Sequence, residues 1–238
     1  ALGLYDSIVW QATTCEERQQ IEGHFGSDAD VGFAPNLGTL PYKSIEEKSD
    51  WATTESGELR AIFVSRVSPK KNLDGALRLL ESVEGRVTYD IYGPLWGDDY
   101  WAECEEIIAG LPGNIEVNYR GPIPHERVFE EFADADLFLF PTHGENFGHV
   151  IFEALVSGCP VLVSQQTPWR GLEEKGVGWD RPLEDPEALV EAIQYCVDAD
   201  EEEYRPWRRR SVEYALEQGL SGEDVERSRQ LFAHAADK

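Results

Sequence analysis

Short apolar runs, separated by segments of helical period, constrain the fold of this chain more than any other feature. Strands that are buried on both faces of a parallel sheet have this almost continuous apolar pattern. The predicted strands are Ser7–Ala12, Asp30–Ala34, Leu59–Ser65, Val87–Tyr92, Ile115–Tyr119, Asp136–Phe140, Pro160–Ser164 and Gly176–Trp179. Their alternation with helices predicts an α/β fold with a doubly wound parallel sheet.

The intervening segments carry helix start and stop signals. Thr14 to Glu17 forms a predicted capping box, and Gly26 ends the helix that follows it. Asp185 and Pro186 are predicted to cap a later helix. The other helices are predicted over Leu73 to Leu80, around Tyr100 to Ile108, over His125 to Asp134, from Val150 to Leu155, and from the acidic stretch 198–203 to Ala236.

The stretch from Pro141 to Leu155 joins a buried strand to a helix through a glycine-bearing loop. In an open α/β sheet, ligands bind outside the carboxyl ends of the strands. The amides of Phe147, Gly148 and His149 would face such a ligand, because the first amides of a helix have no partner within it. The carboxylates Glu145 and Glu153 bracket this turn.

A second candidate motif follows the strand Leu59–Ser65. Arg66 comes directly after the strand and Lys71 just before the next helix, so both should lie at the carboxyl edge of the sheet. Two cations beside a helix N-terminus suit a diphosphate, since arginine binds as a fork and lysine as a point charge. The alternative is a solvated basic turn. Gly93 and Pro94 form a further turn at the same edge.

The charge balance limits the partners. With 21 basic and 46 acidic residues among 238, the net charge is −25. The negative electrostatic field of such a chain disfavours nucleic acid and anionic membranes as general partners. A site for an anionic ligand therefore needs a local cluster of basic residues. Adaptation to high salt, where screening tolerates the charge, and an ordinary acidic cytosolic protein both remain open explanations.

The four cysteines lie far apart and form no Cys-x-x-Cys pair, which argues against zinc and against a disulfide framework. No Asp-x-Asp signature stands at a strand end, and no metal site is predicted. No apolar run reaches the ~20 residues of a transmembrane helix, and no signal peptide opens the chain. We therefore expect a cytoplasmic protein, with peripheral contact at the inner face of the membrane left open.

Two glutamates eight residues apart around Phe-Gly, followed by Glu-Ala-Leu and then Gly158-Cys159-Pro160-Val161, resemble the E-x7-E region of family 4 retaining glycosyltransferases. The Arg66 and Lys71 motif adds to this resemblance, which extends from about Leu59 to Asp185. That family has the GT-B architecture, in which two Rossmann-like domains face each other across a cleft. The resemblance implies that this chain contains the C-terminal, donor-binding half.

The resemblance also implies roles for three candidate catalytic residues. Arg66 and Lys71 would contact the diphosphate of a nucleotide sugar and neutralise the charge that grows on it as it leaves. Glu145 would meet hexose hydroxyls beneath the anomeric carbon, as a positioning and electrostatic residue. Because a diphosphate departs readily once its charge is neutralised, no strong acid and no metal ion is required.

The remaining candidate residues would bind the donor. By the family match, Glu153 would hold the ribose hydroxyls, because a carboxylate accepts two hydroxyl hydrogen bonds at once, and the backbone at Ile123 would meet the base. The predicted donor-binding positions are Glu153, Phe147, Gly148, His149, Gly93 and Ile123. Outside this set, Trp169 and Arg170 are expected to cover the pocket mouth or to pack against a missing domain, and Arg208, Arg209 and Arg210 to form surface ion pairs.

Residues 1–56 are predicted to be the tail of an N-terminal acceptor domain plus a linker from Thr39 to Gly57, and residues 57–238 the donor domain. The chain contains no methionine, even at position 1, and we interpret it as a fragment of a longer protein. The whole enzyme would transfer a hexosyl group from a nucleoside diphosphate sugar to a glycan or lipid-linked acceptor with retention of configuration. It would use no cofactor.

Three alternatives remain open. The first is a non-catalytic nucleotide-binding module of the same fold. The second is a nucleotide-sugar epimerase. The third is a phosphorylase, which would need a pyridoxal-binding lysine, and Lys175 is the only candidate downstream of the central motif.

Overall fold

A computed structural model describes residues 8–13, 15–34, 36–38, 51, 53–219 and 222–236. The chain divides into two compact units, one formed by Ala1–Gly38 with Glu217–Lys238 and the other by Thr39–Leu216. Most of the predicted linker, at 39–50 and 52, lies outside the described residues. The terminal helix thus clusters with residues 1–38, whereas the sequence grouped it with 57–238. The assignment of residues 1–56 and 57–238 to two domains of a longer protein remains a prediction.

The smaller unit is built around a parallel pair of strands, β1 (Val9–Ala12) and β2 (Asp30–Phe33), with Val9 opposite Asp30. Helix α1 (Cys15–Phe25) connects them, as the sequence predicted, although Thr14 of the predicted capping box lies outside the described residues. A C-terminal helix, Gly222–Ala236, contacts β2, where His234 Nε2 lies 2.8 Å from the carboxylate of Asp30.

The larger unit contains a six-stranded parallel sheet in its described part. In chain order the strands are β3 (Glu58–Val64), β4 (Arg86–Tyr92), β5 (Ile115–Gly121), β6 (Leu137–Phe140), β7 (Val161–Ser164) and β8 (Gly178–Arg181). Their spatial order is β5-β4-β3-β6-β7-β8. The chain therefore winds outward from β3, returns to the centre and winds outward again, which confirms the predicted doubly wound sheet.

Helices lie between these strands and after the last of them. They are α2 (Leu73–Leu80), α3 (Asp98–Gly110), α4 (His125–Asp134), α5 (His149–Val156), α6 (Leu172–Lys175), α7 (Pro186–Asp198) and α8 (Glu201–Gly219), and the helix Gly222–Ala236 is α9. The sequence predicted each of them except α6, a single turn too short to show a helical period. Helix α2 contacts α3 and α7, while α4 contacts α5. Asp185 caps α7 as predicted, accepting a hydrogen bond from Ala188 N at 3.1 Å.

The core lies on both faces of the central strands. All four residues of β6 and of β7 are buried, which explains why their sequences are continuously apolar. Phe138 stacks on Phe140 with ring centroids 5.0 Å apart, and Phe63 meets Phe140 edge-on at 5.6 Å. This packing holds the carboxyl ends of β3 and β6 side by side.

A buried ion network at the other end of the sheet corrects one prediction. Arg208 was expected at the surface, but only 1% of its side chain is exposed, and it donates to Asp136 Oδ1 at 2.8 Å. Arg60 and Thr54 bond to the same carboxylate at 2.7 and 2.9 Å. Arg209, by contrast, forms the expected surface pair with Glu213. Arg208 therefore joins α8 to the start of β6.

Candidate functional site

The candidate site lies where the order of strands reverses. β3 and β6 are neighbours in the middle of the sheet, yet the chain leaves them toward opposite edges. The loops 65–72 and 141–148 follow these two strands at the carboxyl edge of the sheet, where ligands of open α/β sheets bind. These loops carry the two sequence motifs.

Hydrogen bonds tie the two loops together. The side-chain amide of Asn72 donates to the carbonyl of Pro141 at 2.7 Å, and His143 N donates to the carbonyl of Lys70 at 2.9 Å. Asn72 has φ 58°, a left-handed conformation that asparagine tolerates better than most residues. The loop after β3 is thereby fixed against the loop after β6.

Lys71 and Glu145 meet across this junction. The lysine ends a 3₁₀ turn at Pro69–Lys71, and its ammonium donates to Glu145 Oε1. Only 14% of the Lys71 side chain and 15% of the Glu145 side chain are exposed. Glu145 is held in turn by its own amide, which donates to the carbonyl of Gln166 at 3.2 Å. The fold thus joins one predicted cation to one predicted carboxylate.

Helix α5 begins beside this pair. Its N-cap, Gly148, has φ 79°, and a Cβ there would lie 2.8 Å from Ile151 Cδ1, so a larger residue would be strained and crowded. The indole of Trp169 donates to the carbonyl of Phe147 at 2.6 Å and so fixes the residue before the cap. The first amides of α5 have no intrahelical acceptor and remain available to an anion.

His149 opens α5 next to Phe147, with ring centroids 4.7 Å apart. Burial lowers the pKa of the His149 imidazole, while the nearby charge of Glu145 acts in the opposite direction. Since burial is the larger influence, the site favours the neutral imidazole, which has one N–H donor and one acceptor nitrogen.

Glu153 lies one turn into α5, and only 12% of its side chain is exposed. Burial raises the pKa of its carboxyl, and His125 partly offsets this rise. His125 Nδ1 lies 3.8 Å from Glu153 Oε1. The sequence did not single out His125, although it opens α4 directly after the Ile123 loop, and that position was the available signal.

The other predicted residues lie around this centre. Arg66 is exposed, and its guanidinium carbon is 4.7 Å from the centroid of the Trp96 ring. Among the described residues it forms no ion pair or hydrogen bond with Glu145 or Glu153. Gly93 is buried at the end of β4, and Ile123 is half-buried against the core. The structure therefore brings Lys71 and Glu145 into contact, but not Arg66 and Glu145.

Two neighbouring residues differ from expectation. Trp169 was expected at the pocket mouth or against another domain, but it is 5% exposed and lies beneath the loop that it anchors. Arg170 pairs with Asp180 at 3.2 Å. Lys175, the alternative pyridoxal candidate, lies at the surface, where its ammonium is 3.3 Å from Tyr214 Oη.

Within the described ranges, no group of three or more His, Cys, Asp or Glu side chains is arranged to hold a metal ion. None of the helices in the described part of the chain combines the length and apolarity that a membrane span requires.

Comparisons with known proteins identify a family whose model matches this chain. The family model described as "Glycosyl transferases group 1" matches residues 44–215, nearly three quarters of the chain. A D-inositol 3-phosphate glycosyltransferase of Nocardia farcinica is 30% identical over 164 residues, which cover 64% of this chain and 36% of the relative. The enzyme of the same name from Geodermatophilus obscurus is 26% identical over 173 residues, 64% of this chain and 37% of the relative.

The chain thus spans little more than a third of the length of these relatives. Among solved structures, Anabaena HepE in complex with UDP and glucose superposes with a TM-score of 0.70 at 20% identity, covering 96% of this chain and 63% of that chain. At this identity the likeness shows the fold alone. The parallel sheet flanked by helices matches GT-B glycosyltransferase structures, as predicted.

Proposed function

The chain belongs to the group 1 glycosyl transferases, and we propose that it is the donor-binding half of a retaining enzyme that transfers a hexosyl group from a nucleoside diphosphate sugar. The contact between Lys71 and Glu145 at the switch point of the sheet carries this proposal. In this contact, a cation suited to a diphosphate lies next to a carboxylate suited to sugar hydroxyls. A nucleotide sugar carries its diphosphate and its sugar hydroxyls side by side.

The diphosphate is bound by positive charge and amides. Lys71, Arg66 and the free amides at the start of α5 belong to the two loops that follow β3 and β6 or to the helix start directly after them, and each can donate to a phosphate oxygen. Negative charge grows on the diphosphate as the glycosidic bond breaks, and preorganised donors stabilise that charge best where water is excluded. Because these groups neutralise the leaving diphosphate, the proposed reaction needs neither a strong acid nor a metal ion.

The two glutamates hold the sugars of the donor. Glu145 accepts from hexose hydroxyls, and its charge stabilises the positive charge that develops at the anomeric carbon. Glu153 accepts from the ribose hydroxyls, and the base lies toward the backbone of Ile123. The position of Glu153 beside His125 at the start of α4 supports this orientation. Phe147, Gly148, His149 and Gly93 shape the space between them.

The acceptor would come from outside this chain. We propose a glycan or lipid-linked acceptor bound by an N-terminal domain, with residues 1–56 as its tail and linker. The matched relatives are named for D-inositol 3-phosphate, which supports a phosphorylated polar acceptor. On this proposal the chain alone should bind donor but transfer poorly, because that N-terminal domain would supply the acceptor side of the cleft.

The rival explanations predict different outcomes in the full-length parent. A non-catalytic nucleotide-binding module would bind the nucleotide without transferring or hydrolysing the sugar. An epimerase would return a changed sugar still attached to its nucleotide. The surface position of Lys175 gives a pyridoxal-dependent phosphorylase no support.

Calorimetric titration of this chain with UDP, GDP, ADP and dTDP tests the proposal. One nucleotide should bind, and Arg66→Ala and Glu153→Ala should each weaken it by about 1–3 kcal/mol, the free energy of a lost charged hydrogen bond. Arg78→Ala is the matched control, because Arg78 pairs at the surface with Glu103 at 3.5 Å and should leave affinity unchanged. Failure of every nucleotide to bind at low and high salt would refute the donor-site assignment.

A further inference from the structure

Trp96 lies near the carboxyl edge of the sheet that carries the candidate site, just beyond the end of β4. Its side chain is unusual for a tryptophan, with 61% of its surface exposed. One face of the ring is covered by the guanidinium of Arg66, whose central carbon lies 4.7 Å from the ring centroid. An arginine within about 6 Å of a tryptophan face is attracted by the ring quadrupole.

The backbone fixes this stacking. Beyond the ends of β3 and β4, Val67 and Leu95 form a further parallel bridge, in which Val67 N donates to Pro94 O and Trp96 N donates to Val67 O, both at 2.9 Å. Gly93 permits the approach, because a Cβ at that position would lie 1.8 Å from the carbonyl oxygen of Ser65. Trp96 is therefore held opposite the residue that follows Arg66.

Arg66 needs such support more than Lys71 does. The ammonium of Lys71 is held by Glu145, whereas among the described residues no carboxylate lies within 4 Å of the Arg66 guanidinium. A free arginine side chain loses rotamer freedom when it binds a ligand. Stacking on an aromatic face restricts the side chain beforehand and leaves its N–H groups available, since the contact uses the face of the guanidinium and not its edge.

We propose that Trp96 is a positioning residue that preorganises Arg66 for the diphosphate. The inference rests on the proposed function and adds a residue to it. Trp96 acts through Arg66 and does not itself contact the nucleotide. Its contribution should therefore disappear when Arg66 is absent or when the ligand has no phosphate.

The test is calorimetric titration of wild type, Trp96→Leu, Trp96→Phe, Arg66→Ala and the double variant Trp96→Leu/Arg66→Ala. The ligands are whichever of UDP, GDP, ADP and dTDP binds the wild type, and the corresponding nucleoside. Trp96→Leu should weaken diphosphate binding roughly two- to fivefold, as expected for an exposed cation–π contact. Trp96→Phe should restore most of the affinity, the nucleoside should bind all Trp96 variants equally, and Trp96→Leu should add nothing in the Arg66→Ala background.

The outcomes separate this inference from the proposed function. If Arg66→Ala weakens binding and Trp96→Leu does not, only the inference is overturned. The same holds if Trp96→Leu weakens the nucleoside, or weakens the diphosphate without Arg66, since the ring would then contact the ligand directly. If no diphosphate binds the wild type, the proposed function fails and the inference with it.

A ligand-free measurement checks the stacking itself. The tryptophan ring current should shift the NMR signal of the Arg66 Nε proton, and Trp96→Leu should remove that shift while the backbone amide spectrum away from the loop is preserved. An unchanged Arg66 signal would overturn the inference.

Discussion

Replacing Glu145 with glutamine should have two opposite effects on this chain. Glutamine keeps the size of the side chain and one hydrogen-bond acceptor, but it removes the charge that neutralises the Lys71 ammonium. The chain without ligand should lose stability, because a largely buried cation loses its counter-ion. Nucleoside diphosphate should bind more tightly, because Lys71 no longer has to leave a carboxylate to meet a phosphate.

The structure sets the size of both effects. Two unit charges about 4 Å apart attract by about 4 kcal/mol at an effective dielectric constant near 20, and the dehydration of both ions offsets most of this. A charged hydrogen bond contributes about 1.5–3 kcal/mol and a neutral one about 0.5–1.5. Glu145→Gln should therefore lower the free energy of unfolding by about 1–2 kcal/mol and raise diphosphate affinity by about five- to tenfold.

Urea unfolding and calorimetry with the diphosphate that binds the wild type measure the two effects. Glu173→Gln is the matched control, since Glu173 pairs with Arg181 at 2.7 Å but is 54% exposed, and it should change stability by less than about 1 kcal/mol. Lys71→Ala should weaken the diphosphate with or without Glu145. If Glu145→Gln bound the diphosphate no better than wild type, the idea that Glu145 and phosphate compete for Lys71 would be wrong.

Three further variants test other parts of the structure. Gly93→Ala should lower the free energy of unfolding by more than about 2 kcal/mol, because the position has φ 142° and no room for a Cβ. Gly110→Ala is the control, because a Cβ there would lie in open space at the end of α3. If urea unfolding gave the two variants equal stability, the steric argument would be wrong. Arg208→Met should cost about 1.5–3 kcal/mol, because a buried charged hydrogen bond to Asp136 is lost while Arg60 still bonds to the same carboxylate. The exposed Arg209→Met should cost less than about 0.5 kcal/mol, a contrast that thermal unfolding of both variants checks. Because burial raises the pKa of Glu153 in the folded state, the folded protein binds the proton more tightly, and its stability falls as the pH rises from the usual glutamate pKa through the raised one. Glu153→Gln should therefore be more stable than wild type at pH values above the raised pKa, but not below the usual glutamate pKa, and it should lose nucleotide affinity. Urea unfolding of both proteins at several pH values measures this. A stability difference that did not change with pH would exclude the burial of Glu153 as its cause.

The sequence predicted the sheet well because its central strands are buried on both faces. β6 and β7 are continuously apolar, and that pattern fits few structures other than a parallel sheet covered by helices. Helix ends were predicted where a local residue sets them, as Asp185 does for α7. The single turn of α6 escaped prediction because four residues show no period.

The candidate site was predicted as a set of residues but not as contacts. Chain order places Arg66, Lys71 and Glu145 in loops that follow parallel strands, and it places Glu153 in the helix after one of these loops. The carboxyl ends of parallel strands share one edge. Which side chains touch depends on strand order and on bonds between loops far apart in sequence. Chain order puts His125 directly after the Ile123 loop, but it does not indicate that the imidazole lies beside Glu153.

Local sequence alone determined the α/β class, the bounds of the strands and of most helices to within a few residues, and the edge of the sheet that carries the candidate site. Only the tertiary structure decided that Lys71 pairs with Glu145, that Trp96 covers Arg66, and that one arginine of a basic run is buried while the next is exposed. The physical reason is the range of the interactions. Periodicity and capping act over a few residues, whereas burial and ion pairing depend on elements that packing brings together from distant parts of the chain.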